Sequence, residues 1–245
     1  MSALVYGGRS PIALELCNQL AGAGHEVHLV TRVLDDAITK LAKENNCAEV
    51  HQCDLEDSAK SIEFAVKIDS LIGGLDAVAF AHRYRSEVAA PLKQYSVEVY
   101  TPYEILEALA ARVREKVCAV VLITSPAAHS VVGDQDFQYH ASKAALSQLV
   151  RYGSVCFAAR NLRINGLSPG SFIFKQRAAD FYGKNPQIVE RANNLIPLSR
   201  MGTVNEIASV ALFLLSKQSS YLNGQILEVD GGLSNLDPAS LSKQN

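Results

Sequence analysis

The sequence predicts one α/β domain built on a parallel β-sheet with helices on both faces. Short, near-continuous apolar runs alternate with amphipathic segments along almost the whole chain, which is typical of a parallel sheet buried on both sides. The chain has 245 residues, of which 48% are hydrophobic and 20% are charged, and this is enough for a sizeable core. No Pro/Gly/Ser-rich linker divides the sequence, so we expect one domain over residues 1–233 and a loosely held tail over residues 234–245.

The chain begins with the pattern of a strand, a glycine turn, a helix and a second strand. Residues 3–6 are a short apolar run, and residues 7–10 form the turn. Ser10 suits the N-cap of a helix and Pro11 suits its first position, where a missing N–H costs little. The next strand is Glu26–Thr31. This βαβ unit places backbone N–H groups at a helix N-terminus, where phosphate binds readily.

The same alternation continues to the C-terminal end of the chain. A further helix carries Tyr139 and Lys143, whereas residues 170–200 look less regular. The remaining helices are predicted over residues 35–45, 58–72, roughly 96–115 and 204–216, and the remaining strands over residues 48–52, 76–80, 117–123, 163–167 and 225–229. Six or seven strands are therefore expected in the sheet.

The composition favours a small-molecule partner in a reducing compartment. The formal net charge is −2 and the basic residues are dispersed, so no nucleic-acid face is indicated. The five cysteines are scattered and form neither a C-x-x-C motif nor a metal-like cluster with histidine, so no metal site is expected. No apolar run approaches the roughly 20 residues that span a bilayer, and no basic leader precedes the first strand. We expect a cytoplasmic protein without a nucleic-acid or membrane partner.

Tyr139 and Lys143 are four residues apart and share one face of their helix. A lysine ammonium stabilises the phenolate form of a neighbouring tyrosine, so such a tyrosine can donate or accept a proton. The spacing alone is weak, because many helices carry a tyrosine and a lysine as a partly exposed pair.

Several segments together resemble the short-chain dehydrogenase/reductase family. Residues 163–170 look like the family's strand and Pro-Gly turn, and residues 196–202, 206–208 and 229–232 follow in the family's order and spacing. The tyrosine and lysine lie where the family has its catalytic pair, with Ser125 after the preceding strand. The resemblance covers nearly the whole chain. It implies a Rossmann-type, doubly wound fold, a nicotinamide dinucleotide cofactor and hydride transfer at a carbonyl carbon.

The resemblance also implies roles for individual residues. Tyr139 would be the proton donor during reduction, Lys143 would activate it and bind the nicotinamide ribose, and Ser125 would hold the substrate oxygen. The positions expected to contact the cofactor are Gly7, Arg9, Ser10, Ile12, Arg32, Asp54, Leu55, Ala81, Tyr139, Lys143, Pro169, Gly170 and Phe172.

The residue after the second strand favours NADP(H) over NAD(H). Arg32 stands where NAD-preferring members usually place an acid, and Asp35 and Asp36 come a little late for that role. A guanidinium suits a 2′-phosphate through charge-assisted hydrogen bonds, and Arg9 is placed to assist. The alternative is that both arginines are solvated surface residues.

Three departures from the family pattern keep other functions open. Pro11 stands at a glycine that normally lets the pyrophosphate approach, and the relay asparagine expected near Glu98 is missing, so that a water or Glu98 takes its place. These changes favour an inactive dinucleotide-binding scaffold as an alternative. Residues 79–82 resemble the enoyl-thioester reductase branch, although that branch spaces its tyrosine and lysine differently.

The remaining candidates concern the substrate and the assembly. Aromatic residues within 170–200, the region that the family uses as a lid, suggest a partly apolar small-molecule substrate. Ala141, Ala144 and Leu149 permit close packing of a helix that forms subunit interfaces in the family, so a homodimer or homotetramer is expected. His82 and His140 are expected to be structural or exposed.

Overall fold

A computed structural model describes residues 1–85, 90–175 and 179–237. Within these ranges a seven-stranded parallel sheet carries helices on both faces, which confirms the predicted Rossmann-type, doubly wound fold. The strands of this sheet are β1 (Ser2–Tyr6), β2 (Glu26–Thr31), β3 (Glu49–Gln52), β4 (Ala77–Phe80), β5 (Cys118–Ile123), β6 (Leu162–Pro169) and β9 (Ile226–Val229). The strands β7 (Ile173–Phe174) and β8 (Gly202–Thr203) form a separate parallel pair. Most of the predicted tail, residues 238–245, lies outside the described residues.

Nine α-helices lie within the described residues, and side chains at the N-termini of five of them accept hydrogen bonds from the first turn. The helices are α1 (Pro11–Gly22), α2 (Asp36–Glu44), α3 (Ser58–Leu71), α4 (Pro91–Tyr95), α5 (Thr101–Ala110), α6 (Phe137–Cys156), α7 (Ala179–Lys184), α8 (Pro186–Leu195) and α9 (Val204–Leu215). The N-cap residues that accept these bonds are Ser10, Asp35, Asp57, Asp136 and Thr203. None of the helices in the described ranges is long and apolar enough to cross a bilayer.

The strand order is β3-β2-β1-β4-β5-β6-β9, with all neighbours parallel. The chain winds outward in one direction from β1 to β3 and in the other direction from β4 to β9. The order therefore reverses between β1 and β4, and the helices leave opposite faces of the sheet there. In open sheets of this kind, ligands bind outside the carboxyl ends of the strands at the reversal point.

The alternation of side chains along the strands builds two cores. In β1, Leu4 and Tyr6 enter the core on one face, whereas Ala3 and Val5 enter the core on the other. The Tyr6 ring stacks on Phe80 of β4 at a centroid distance of 4.8 Å. Full burial of a leucine-sized side chain contributes about 1.5–3 kcal/mol, so both cores hold the strand ends in place at the reversal point.

The predicted helix over residues 96–115 has different bounds in the structure. A helical run begins at Pro91, makes one π-helical turn over Ser96–Tyr100 and ends at Ala110. The end comes early because Arg112 and Arg114 turn to pair with buried Asp69, at 2.6 and 2.7 Å. These tertiary ion pairs override the helical propensity of the segment.

The segment over residues 170–200 contains more structure than its sequence indicates. It includes β7, α7 and α8, while residues 176–178 are outside the described ranges. The ring of Tyr182 stacks on Phe174 at 5.0 Å and contacts Phe181 at 5.7 Å, and its hydroxyl donates to the carbonyl of Ile173 at 3.2 Å. The aromatic side chains of Phe174, Phe181 and Tyr182 in this segment therefore pack on one another.

Candidate active site

Ser125 follows the carboxyl end of β5, beside the reversal point of the sheet. It is extended and buried, and its Oγ accepts a hydrogen bond from the Ala127 N–H at 3.2 Å. This bond begins a short 3₁₀ turn over Pro126–Ala128 and fixes the side chain. Because the oxygen acts here as an acceptor, the hydroxyl hydrogen remains able to donate to a ligand oxygen.

Tyr139 and Lys143 lie in the first two turns of α6 and face the same side. Asp136 caps the helix by accepting from the Tyr139 N–H at 2.8 Å. The Lys143 Nζ lies 5.6 Å from the centre of the Tyr139 ring and donates to the carbonyl of Ile123, the last residue of β5, at 3.3 Å. The helix thus brings the phenol and the ammonium to the end of the strand that Ser125 follows.

Glu98 supplies the counter-charge of Lys143. Its Oε2 lies 3.0 Å from the lysine Nζ, and both side chains are almost fully buried, at 1% and 4% exposure. The contact is an ion pair rather than a well-directed hydrogen bond, because Oε2 has no hydrogen-bond partner with suitable angles. The Oε1 atom accepts from the backbone N–H of Tyr84 at 3.0 Å.

The π-helical turn over Ser96–Tyr100 contains Glu98. Such turns insert one extra residue into a helix and are frequent at functional sites. The sequence analysis expected a water or Glu98 in place of the family's asparagine. In the structure, the Glu98 carboxylate contacts Lys143 directly.

Arg83 is a neighbour of Tyr139 that the sequence analysis missed. Its guanidinium carbon lies 4.3 Å from the centre of the tyrosine ring, within the range of a cation–π contact. An Nη atom also donates to Gln135 Oε1 at 2.5 Å. Its position three residues after β4 was the available signal, because residues after parallel strands gather at the same edge of the sheet.

The two histidines close to the site are structural, as expected. The Nε2 atom of His82 donates to the carbonyl of Val97 at 2.9 Å, and burial lowers the pKa of His82 to about 4. The Nε2 atom of His140 accepts from the Val132 N–H at 2.9 Å, while its Nδ1 donates to the carbonyl of Asp136 at 2.6 Å. Each ring therefore holds neighbouring backbone in place, although the Nδ1 atom of His82 is buried without a hydrogen-bond partner among the described residues.

The glycine turn after β1 packs tightly at the reversal point. Gly7 has a φ of +119°, and a Cβ there would lie 2.8 Å from the backbone of Ala81. The Ala81 N–H in turn donates to the carbonyl of Tyr6 at 2.9 Å. Only glycine allows this approach, so the turn and the end of β4 meet to form one wall of a crevice.

The start of α1 fits a phosphate, although with few donors. The N–H groups of Gly7 and Gly8 both donate to Val30, and the Ser10 N–H donates to Gly7 at 2.7 Å. Pro11 has no N–H. Among the described residues, the N–H groups of Arg9 and Ile12 are left for a ligand. The helix terminus therefore suits a cofactor phosphate, but with a smaller donor set than three glycines would provide.

The two arginines expected near the adenosine differ in their surroundings. The Arg9 guanidinium forms an exposed ion pair with Asp35, and Asp35 also caps α2 by accepting from the Ile38 N–H at 2.9 Å. The Ile38 bond and then Arg9 hold the pKa of Asp35 below its ordinary value. Arg32 is exposed at the end of β2, and its carbonyl accepts from Gln52 Nε2 at 3.2 Å.

The predicted adenine turn follows β3 at the same edge of the sheet. The Asp54 side chain accepts from the Glu56 N–H at 3.0 Å, which orders the turn. Leu55 is buried, and its carbonyl accepts from the hydroxyl of Thr101 at 2.9 Å. This turn is therefore tied to the start of α5.

The predicted nicotinamide side is formed by the end of β6. Pro169 is the last residue of that strand, and the Gly170 N–H donates to Val229 at 3.0 Å. A Cβ at Gly170 would lie 2.7 Å from the Asp230 side chain, so the turn requires glycine. The carbonyl of Phe172 accepts from the Gly202 N–H at 3.1 Å, which joins this turn to β8.

Known proteins resemble this chain in sequence over nearly its whole length. The family model described as Enoyl-(Acyl carrier protein) reductase matches residues 7–234. A rhamnolipid-biosynthesis 3-oxoacyl-[acyl-carrier-protein] reductase of Pseudomonas aeruginosa is 27% identical over 94% of this chain and 94% of its own length. The 7alpha-hydroxysteroid dehydrogenase of Escherichia coli is also 27% identical, over 94% of this chain and 92% of its own.

Solved structures agree with the fold. The Pseudomonas aeruginosa RhlG/NADP active-site complex superposes with a TM-score of 0.79 at 25% identity, covering 95% of both chains. The TT0495 protein of Thermus thermophilus gives a TM-score of 0.81 at 24% identity, covering 96% of this chain and 98% of that one. Since the family model spans nearly the whole chain and the relatives are oxidoreductases, the chain belongs to the short-chain dehydrogenase/reductase family.

Proposed function

We propose that this protein is an NADP(H)-dependent carbonyl reductase or alcohol dehydrogenase that acts on a small, partly apolar substrate. The observation that carries the proposal is the position of Lys143, held by the Ile123 carbonyl and Glu98 on the same side as Tyr139. Ser125 follows the same strand end with its hydroxyl fixed. The proposed site thus combines the Lys143 ammonium, held at the carboxyl end of β5, with the hydroxyls of Ser125 and Tyr139.

These side chains divide the proton chemistry of the proposed reaction. The Tyr139 hydroxyl donates its proton to the substrate oxygen, and the Ser125 hydroxyl donates a hydrogen bond to the same oxygen. Negative charge that develops on that oxygen thus meets two fixed donors. When bound, the nicotinamide supplies the hydride. Lys143 keeps N–H groups that are available for the nicotinamide ribose, because Nζ donates a directed hydrogen bond to Ile123 and forms an ion pair with Glu98.

Glu98 acts in this proposal as a positioning residue for Lys143. The lysine is 3% exposed, and a buried ammonium needs a partner. The carboxylate supplies that partner and directs the remaining N–H groups toward Ile123 and the crevice. It takes the place in the proton relay that the missing asparagine leaves.

The proposed preference for NADP(H) rests on the charges at the end of β2. The Asp35 carboxylate already binds Arg9 and the Ile38 N–H, so it is not available as a free acceptor for a ribose hydroxyl. Arg32 presents an exposed guanidinium at the same strand end, which suits a 2′-phosphate. The similar Pseudomonas aeruginosa RhlG structure is a complex with NADP, which supports this choice.

The position of Arg83 indicates which class of substrate the proposed site would accept. Its guanidinium covers the Tyr139 ring and brings positive charge close to the reacting group. Burial and then Arg85 and Arg83 lower the pKa of Lys175, so further basic side chains lie close by. A substrate with a negatively charged group near its carbonyl would meet this charge, while the Phe174 and Tyr182 rings suit an apolar portion.

We also propose a cytoplasmic homodimer or homotetramer that forms through α5 and α6. Tyr100, just before α5, and Tyr152 and Val155 of α6 are exposed apolar side chains, with Val155 at 78% exposure. Ala141 and Ala144 of α6 are also exposed and small, which allows close helix packing. Sedimentation of the native protein gives its mass directly, and a monomer would contradict this assembly.

Replacement of Tyr139 by phenylalanine tests the proposed chemistry. The Tyr139→Phe variant should lose at least about 100-fold in kcat for NADPH oxidation with carbonyl substrates, because the proton donor is removed. The fully exposed Tyr221 offers a matched control, since Tyr221→Phe should leave kcat unchanged. Unchanged turnover in Tyr139→Phe would contradict the proposal. Titration of NADPH against NADH in the wild type tests the cofactor preference.

Two other functions have specific support. Pro11 and the small set of N–H donors favour a scaffold that binds dinucleotide without turnover. Such a protein would bind NADPH and oxidise none of it with a broad carbonyl panel. The description of the matching family model favours enoyl reduction instead. Saturation of the double bond in a conjugated enoyl thioester would identify that activity.

A further inference from the structure

A cluster of two imidazoles and one carboxylate lies away from the candidate active site, where β2 pairs with the sheet's edge strand β3. His28 of β2 is the register partner of Glu49 of β3, and Val30 is the partner of His51. Side chains two apart on a strand point to the same face, so His28, Glu49 and His51 share one face of the sheet. The ring of Phe64 from α3 lies 5.3 Å from the His51 ring and closes the inner side.

The three possible ligand atoms form a compact triangle. The His28 Nδ1 and His51 Nε2 atoms are 3.0 Å apart, and the Glu49 Oε2 atom lies 3.9 Å from the first and 3.7 Å from the second. The circle through these three atoms has a radius of about 2.1 Å. An ion at its centre, inside the triangle, would therefore lie about 2.1 Å from each atom. Zinc binds imidazole nitrogen and carboxylate oxygen at about 2.0–2.2 Å.

The surroundings suit a metal ion that keeps one open position. The side chains of His28 and His51 are 5% and 11% exposed, whereas that of Glu49 is 63% exposed. The imidazoles thus form a buried floor, and the carboxylate lies at the solvent side, where a water can complete four ligands.

The second ring nitrogen of His28, Nε2, is buried without a hydrogen-bond partner among the described residues. If His51 donates to Nδ1 of His28, the Nε2–H of His28 is a buried donor, and Nε2 has no hydrogen-bond partner among the described residues. If His28 donates, its Nε2 lone pair is unpaired instead. The nearest carboxylate oxygen, Glu26 Oε1, lies 3.9 Å away. Metal ligands of this type commonly direct their second nitrogen at an outer carboxylate, and Glu26 lies on that side of His28 at a distance longer than a hydrogen bond.

We propose that His28, Glu49 and His51 bind one Zn²⁺ ion that fastens β3 to β2. Two nitrogens and one oxygen form a donor set of the borderline kind that zinc accepts, and a water would be the fourth ligand. The proposed ion would stabilise the exposed edge of the sheet, because β3 has a strand partner on one side only. This site takes no part in the proposed reaction, so it stands or fails independently of the proposed function.

The test is a zinc titration of the full chain after dialysis against a chelator. We expect one Zn²⁺ per chain with saturable binding and an upward shift of the melting temperature. The variants His51→Ala and Glu49→Gln avoid the buried His28, whose replacement is a greater risk to folding. His51→Ala should weaken zinc binding at least 100-fold, and Glu49→Gln about tenfold. The matched control is His129→Ala, which removes a half-exposed histidine paired with Glu228 at 3.1 Å elsewhere on the surface.

Cobalt(II) substitution distinguishes this site from the free cysteines of the chain. A spectrum without thiolate charge-transfer bands, lost in His51→Ala and kept in His129→Ala, supports the assignment. Thiolate bands at one equivalent of cobalt would overturn it. Zinc affinity that is the same in the wild type and His51→Ala would also overturn it, and so would non-saturable binding only, which is adventitious.

Discussion

Replacing Glu98 by glutamine should both destabilise the fold and slow turnover, because the ion pair with Lys143 is buried. Glutamine preserves the size of the side chain and an acceptor for the Tyr84 N–H, so the change removes mainly the charge. Two unit charges 3.0 Å apart attract by about 5 kcal/mol at an effective dielectric constant of about 20. Desolvation of the pair offsets part of this, but removing one partner leaves the other buried and unpaired.

We therefore expect Glu98→Gln to lower the free energy of unfolding by about 3 kcal/mol, near the lower end of the cost of breaking buried pairs. Urea denaturation followed by circular dichroism gives this value. The matched control is Glu107→Gln on α5, where an exposed carboxylate accepts from the Tyr103 hydroxyl, and it should change stability by no more than about 0.5 kcal/mol.

A double-mutant cycle separates the pair from unrelated effects of each substitution. Lys143→Met removes the ammonium, and the double variant Glu98→Gln/Lys143→Met should be more stable than the sum of the single changes predicts. We expect a coupling free energy of about 2 kcal/mol or more for this buried contact. In the single Glu98→Gln variant, kcat should fall about tenfold, since Lys143 is no longer held in place. Coupling below about 0.5 kcal/mol together with unchanged kcat would refute the positioning role.

Two further predictions concern stability. Asp69→Asn should lower the free energy of unfolding by about 3 kcal/mol, because Arg112 and the buried Arg114 lose their shared carboxylate; urea denaturation checks this, and a loss below about 1 kcal/mol would contradict it. Burial depresses the pKa of His82 to about 4, so that between pH 6.5 and 4 the unfolded chain takes up a proton that the folded chain does not. Stability should therefore fall by about 2 kcal/mol over that window as the pH decreases, and His82→Gln should remove this component; an unchanged pH dependence in the variant would show that other groups are responsible.

The regular elements were predictable where local pattern and tertiary structure agree. The strand Glu26–Thr31 and the helix beginning at Pro11 have the predicted bounds, since an apolar run, a capping serine and a proline at N1 all indicate the same structure. The bounds predicted for the helix over 96–115 are wrong at both ends. Pro91 starts it earlier, and contacts with Asp69, which is distant in sequence, end it at Ala110.

The candidate site was predictable in its residues more than in its contacts. The spacing of Tyr139 and Lys143 and the position of Ser125 after a strand predict that all three share one edge of the sheet, and the structure has Lys143 on the carbonyl of Ile123, two residues before Ser125. The identity of the counter-charge was not predictable, because a π-helical turn changes which side chains face inward. Arg83 was missed because it contacts Tyr139 from a loop, and the hydrophobic periodicity of a sequence does not predict the path of a loop.

Ion pairs neutralise two of the basic side chains at the proposed cofactor site. Arg9 is paired with Asp35 on the proposed adenosine side, and Lys143 is paired with Glu98 on the proposed nicotinamide side. Pro11 removes one backbone donor from the helix terminus between them. The positive charge left for a dinucleotide's phosphates then comes mainly from Arg32 and from the N-terminus of α1. Pro11 thus bears on cofactor affinity, whereas Glu98, in place of the missing asparagine, bears on the position of Lys143 beside Tyr139.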